Sequence, residues 1–98
     1  MFPAKIYVTE EDIKNGEVYS SDRCPIALAI TRCINRPGVK VGSLRAIDDE
    51  YQYHLFGPEI TQWIVNFDRG KSVEPFSFEL CWQGYRDLEK EKGWVKSC

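Results

Sequence analysis

Apolar residues along this chain alternate between two spacings, and each change of spacing marks a new element. Lys5-Ile6-Tyr7-Val8 is a short β-prone run. Thr9-Glu10-Glu11-Asp12 follows, with a hydroxyl cap three residues ahead of an acid, the arrangement that satisfies the exposed N–H groups of a helix start. Asn15-Gly16 ends this brief helix. After a polar connection from Glu17 to Asp22, Pro25 brings the preset φ of a first helical residue and pushes Cys24 out of the α region, so Cys24 is the predicted cap. Ile26, Ala27, Ile30, Cys33 and Ile34 recur at helical spacing as a core stripe, and Pro37-Gly38 is the expected stop.

The spacing then becomes strand-like from Val39 to Ile47, where Gly42 and Ser43 break strict alternation and predict a bulge. Asp48-Asp49-Glu50 turns the chain into Tyr51-Gln52-Tyr53-His54-Leu55-Phe56, the return strand of a hairpin. Gly57-Pro58 closes it and opens a second amphipathic helix. Pro58 is its predicted first residue, Glu59 lies in the first turn, Ile60, Trp63, Ile64 and Phe67 share one face, and Gly70 ends it. Phe76, Phe78, Leu80 and Trp82 then alternate with period two. The order predicts an α+β domain: a small, three- or four-stranded, largely antiparallel sheet with two amphipathic helices on one face. Residues 1–82 form this domain, and 83–98 is read as a charged tail with helix around Tyr85 to Glu91.

Composition narrows the function. The chain has 98 residues, 43% hydrophobic and 29% charged, which suits one globular core. A formal charge of −2 opposes the long-range attraction that duplex nucleic acid or anionic lipid requires. No apolar run approaches the ~20 residues that span a bilayer, and no secretory h-region follows Met1, so the expected location is the cytoplasm. The four cysteines, Cys24, Cys33, Cys81 and Cys98, are scattered and expected to be reduced. With His54 the only histidine, they lack the paired spacing of a zinc site, so neither metal nor cofactor is expected.

The sharpest chemistry lies at Ser20-Ser21-Asp22-Arg23-Cys24-Pro25. A helix starting at Pro25 leaves the N–H groups of Ile26, Ala27 and Leu28 without intrahelical partners, and Ser20, Ser21 and Arg23 add donors suited to a phosphate. The segment lacks the glycines of a P-loop, so its plainer reading is a capped helix beside a solvated arginine. Tyr51 and Tyr53 are candidates to pack a base, although most aromatics in so short a chain are needed for the core. The candidate ligand-binding set is therefore Ser20, Ser21, Arg23, Cys24, Ile26, Ala27, Tyr51 and Tyr53. Cys24 has a stabilising environment for a thiolate but no accompanying dyad, so no catalytic residue is assigned. The acidic turn Asp48-Asp49-Glu50 reads as a solvated turn or, more sharply, as a charge mimic or metal-contacting loop, and the lack of a glycine-spaced calcium loop favours the turn.

Cys24-Pro25-Ile26-Ala27-Leu28-Ala29-Ile30 and Phe67-Asp68-Arg69-Gly70-Lys71-Ser72-Val73-Glu74-Pro75-Phe76-Ser77-Phe78-Glu79-Leu80 resemble a family of small, largely uncharacterised phage, prophage and bacterial accessory proteins. Gly57-Pro58-Glu59-Ile60 and the segment from Ile6 to Gly16 look like further parts of it, so the resemblance spans roughly Ile6 to Leu80. It implies a viral or mobile-element protein that acts by binding. The leading expectation is a non-enzymatic anti-defence sponge that sequesters a small anionic ligand such as a signalling nucleotide. The alternative is an inhibitor that binds a bacterial host or immune protein through its sheet edge, acidic turn or tail. Self-association is a further expectation, since small sheets leave edges to bury.

Overall fold

The computed structural model describes residues 3–42, 44–57 and 59–85. Eight elements follow in order: β1 (Ala4–Val8), α1 (Glu10–Asn15), α2 (Pro25–Ile34), β2 (Lys40–Val41), β3 (Arg45–Ile47), β4 (Tyr51–Phe56), α3 (Ile60–Asp68) and β5 (Phe76–Tyr85). The strands form a five-stranded antiparallel sheet in the order β1-β5-β4-β3-β2. The fold is thus α+β as expected, with five strands instead of three or four, and with the brief helix predicted after Thr9 present as α1 beside the two amphipathic helices.

The extra strand arises where the sequence predicts a bulge. Instead of one irregular strand, the chain doubles back: Lys40 faces Ile47 and Val41 faces Ala46, with Leu44 in the left-handed region at φ 57°. The irregularity lies instead between Gln52 and Tyr53, where β4 meets β5. β5 also continues through Gln83 and Gly84 to Tyr85, so the domain extends past the predicted boundary at 82. The helix predicted around Tyr85 to Glu91 falls, beyond Tyr85, outside the described residues.

Local chemistry explains the helix ends. Thr9 accepts the Asp12 N–H while the Asp12 carboxylate accepts the Thr9 N–H at 2.9 Å, closing a reciprocal capping box. α2 begins at Pro25 with Cys24 as its cap, as its sequence predicts. It ends sooner than Pro37-Gly38, because Asn35 takes the left-handed conformation at φ 55°. α3 starts at Ile60; Glu59 is its left-handed N-cap rather than a first-turn acid.

Alternation then assigns the faces. Ile6, Val8, Val41, Ala46, Tyr53, Leu55, Phe78 and Leu80 meet the buried sides of α2 and α3 in one core. Ala29 joins the α2 stripe, whereas Cys33, assigned to that stripe by spacing, is exposed. Arg32 ties this layer together, donating to the Tyr7 carbonyl at 2.8 Å and to Asp12 at 2.7 Å. The opposite sheet face carries Lys5, Tyr7, Arg45, His54, Phe56, Glu79 and Cys81.

Candidate functional site

The predicted residues do not gather at one place. Ser20, Ser21, Arg23, Cys24, Ile26 and Ala27 surround the start of α2, whereas Tyr51 and Tyr53 stand on β4. From Ser21, whose carbonyl accepts the Val41 N–H at 2.7 Å, the line to Tyr53 runs through Val41 and Ala46. At the usual strand separation of ~4.8 Å, that is roughly 15 Å.

At the start of α2 two of the three N–H donors assigned to an anion are occupied. The Ala27 N–H donates to Cys24 Sγ at 3.4 Å, and the Leu28 N–H donates to the Cys24 carbonyl at 3.0 Å. Cys24, Pro25, Ile26 and Ala27 are all buried. Ser20 Oγ accepts the Arg23 N–H and donates to Asp22, while the Arg23 guanidinium lies 3.8 Å from Glu17 in an exposed pair. The loop thus turns its polar groups on itself and lays an apolar first turn into the core.

Cys24 is also disulfide-bonded, which corrects the expectation of reduced cysteines throughout. Among the described residues the free thiols are Cys33, exposed, and Cys81, half-buried. Alkylation of the native, unreduced protein is therefore expected to label Cys33 and Cys81, with label at Cys24 appearing only after reduction and unfolding. Peptide mapping that finds Cys24 modified without reductant would contradict this assignment.

The other end of α2 holds a cluster that spacing alone did not reveal. Asp48 is buried, accepts the N–H groups of Glu50 and Tyr51 at 2.8 Å each, and receives Arg36 Nε and the Tyr53 hydroxyl at 2.5 Å each. Burial by itself would raise the carboxyl pKa of Asp48, but the hydrogen bonds from Tyr53, Arg36 and the backbone outweigh it and hold the value below the ordinary range. Tyr53 is pushed the other way, first by burial and then by its anionic acceptor, so its hydroxyl keeps its proton. Arg36, its guanidinium pKa raised chiefly by Asp48, also bonds Glu50 at 3.2 Å and lies 4.5 Å from the Tyr51 ring centre.

One acid of the turn is therefore interior and a second is neutralised by Arg36. The bonds from Asp48 to the N–H groups two and three residues on are an Asx-type turn, a signature readable in Asp48-Asp49-Glu50. Arg36 could not be read this way, since folding alone brings it to Asp48.

Beyond this cluster lies an aromatic rim. Tyr51 pairs with Tyr85 and Tyr53 with Trp82 across β4 and β5, so all four project on the helix side of the sheet. Tyr53 is fully buried, but Trp82 is 46% exposed and Tyr85 68% exposed. Ring centres are 6.0 Å apart for Tyr51 and Trp82, 5.3 Å for Tyr51 and Tyr85, and 6.2 Å for Trp82 and Tyr85. Among the described residues no three His, Cys, Asp or Glu side chains converge as metal ligands. No helix there is long and apolar enough to cross a membrane.

No protein-family model matches this chain, and comparison with curated proteins and with solved structures finds no significant similarity.

Proposed function

We propose that this chain is a non-enzymatic binding protein that occupies a surface of another protein, with Tyr51, Trp82 and Tyr85 as the contact. The observation that carries this reading is the exposure of Trp82 and Tyr85 around Tyr51 under the guanidinium of Arg36. Tryptophan, tyrosine and arginine are the residues that most often dominate interface energy, and a preformed cluster loses little side-chain freedom on docking. Of the surfaces offered by the sequence, the acidic turn flanks this rim but is largely paired internally, so the aromatics rather than the charges supply the attraction. The resemblance to phage and bacterial accessory proteins supports a bacterial host or immune protein as the target. A nucleotide sponge would instead need an open first turn at α2, where the Ala27 and Leu28 donors are taken.

The test places a photo-crosslinker at Tyr85 and, as control, at exposed Lys14 on α1. The expected result is one partner captured in bacterial lysate from position 85 alone, whose purified form binds with an affinity reduced by ~2 kcal/mol or more in Trp82→Ala. Equal capture from both positions, or binding unchanged in Trp82→Ala, rejects the rim as the contact. Calorimetry against a nucleotide panel, showing binding that Arg23→Ala weakens, would restore the sponge.

A further inference from the structure

The face of the sheet opposite the helices carries a second pattern, independent of the aromatic rim. Tyr7 on β1 and Phe56 on β4 point away from the core and are 55% and 53% exposed. The His54 ring lies 4.3 Å from that of Phe56, and Lys5 Nζ stands 6.0 Å from the centre of the Tyr7 ring. Arg45 is the register partner of His54, and Lys40 of Ile47, so both cations belong to the same face. Lys5, Lys40 and Arg45 make no ion pair among the described residues, and Glu79 is the acid that shares the face with them. In a protein of net charge −2, this face is thus locally cationic: the acids of α1 lie elsewhere and Asp48 and Glu50 are paired with Arg36, while the Asp49 carboxylate stands beside Gly38, two residues from Lys40.

We infer that this open face binds single-stranded nucleic acid. Charge complementarity selects a polyanion, and the two exposed rings beside unpaired cations select one with unstacked bases. Bases of a single strand can stack on Tyr7 and on Phe56 with its neighbour His54, while Lys5, Lys40 and Arg45 meet phosphates. The rings stand on strands separated by β5, about 10 Å apart across the sheet, so they engage different bases. A duplex hides its base faces and presents only phosphates to the same cations. An acidic protein would use the cations and leave the rings without a stacking partner.

Fluorescence anisotropy of a labelled oligothymidylate decides the matter. Binding is expected at low salt, with log K falling against log salt at a slope of about −2, since three cations release counterions at roughly 0.7 each on a single strand. Phe56→Ala and Tyr7→Ala should each weaken binding by about tenfold. Arg45→Gln should flatten the slope by ~0.7. These side chains are exposed, so the variants should melt as the parent does, which circular dichroism checks. Any of four results overturns the inference: no binding up to about 100 μM protein, the weak end of electrostatic association; equal affinity for duplex; equal affinity for a polyglutamate peptide; or binding indifferent to both ring substitutions.

Discussion

Asp48→Ala is expected to cost about 3 to 5 kcal/mol of stability, because it leaves a buried tyrosine hydroxyl without its acceptor and takes from Arg36 its interior partner. It also strips two N–H groups of the bonds that shape the β3–β4 turn. In a domain of this size such a loss lowers Tm by at least ~12 °C. Thermal melts and urea unfolding measure it; a change below about 1 kcal/mol would show that the turn holds without its carboxylate.

The same network sets a pH window. Asp48 has its pKa depressed on folding, so between its folded and unfolded values the unfolded chain binds more protons and stability rises with pH. Its contribution is complete above the ordinary carboxylate range near ~4 and is lost as pH falls through the depressed value. Tyr53 has its pKa raised, so its contribution is complete below the ordinary tyrosine range near ~10 and is lost as pH climbs toward the folded value. Tyr53→Phe should therefore remove part of the alkaline loss and also shrink the acid limb, because the Tyr53 hydroxyl is foremost among the bonds that hold the Asp48 pKa down. An alkaline limb identical in parent and Tyr53→Phe would exclude Tyr53 as its source.

Gly16→Ala is the second large effect. A Cβ at Gly16 would stand 2.5 Å from Cδ and Cγ of Pro25 and 2.8 Å from its backbone nitrogen, atoms that belong to a rigid ring at the buried start of α2. Neither side can yield without parting α1 from α2, so the expected cost is about 1 to 3 kcal/mol. Gly70→Ala is the control: its φ of 75° is unfavourable for a side chain, but a Cβ there meets nothing within 4 Å. Its cost should be the backbone strain alone, about 1 to 2 kcal/mol. Crystal structures of both variants check the mechanism, with a displaced Pro25 expected only in Gly16→Ala. An undisturbed Pro25 in that variant would disprove it.

The closed start of α2 redirects the functional argument. A helix N-terminus attracts anions through donors that have no other partner, and here one donor is met by the sulfur of the capping residue and another by its carbonyl. What the fold leaves outward is aromatic: Trp82 and Tyr85 on the helix side of the sheet, Tyr7 and Phe56 on the other. Exposed rings of this kind suit recognition by contact area and stacking better than the enclosure of a small anion.

The cap at Cys24, the proline at the first position of α2, the capping box at Thr9 and the alternation of Phe76, Phe78 and Leu80 were all written in local sequence. Each depends on residues within a turn or a strand of one another, so neighbours along the chain suffice to specify it. Other features depended on which segments meet. The doubling of β2 and β3, the union of Arg36 with Asp48 and Tyr53, and the distance between the α2 start and Tyr51 arise from the path that carries the chain from edge strand β1 across to β2. Periodicity put Phe78, Leu80 and Trp82 on one face with no difference in burial, and only tertiary packing made the first two interior and Trp82 surface. A repeat of two says which way a side chain points, whereas its access to water depends on what lies above it.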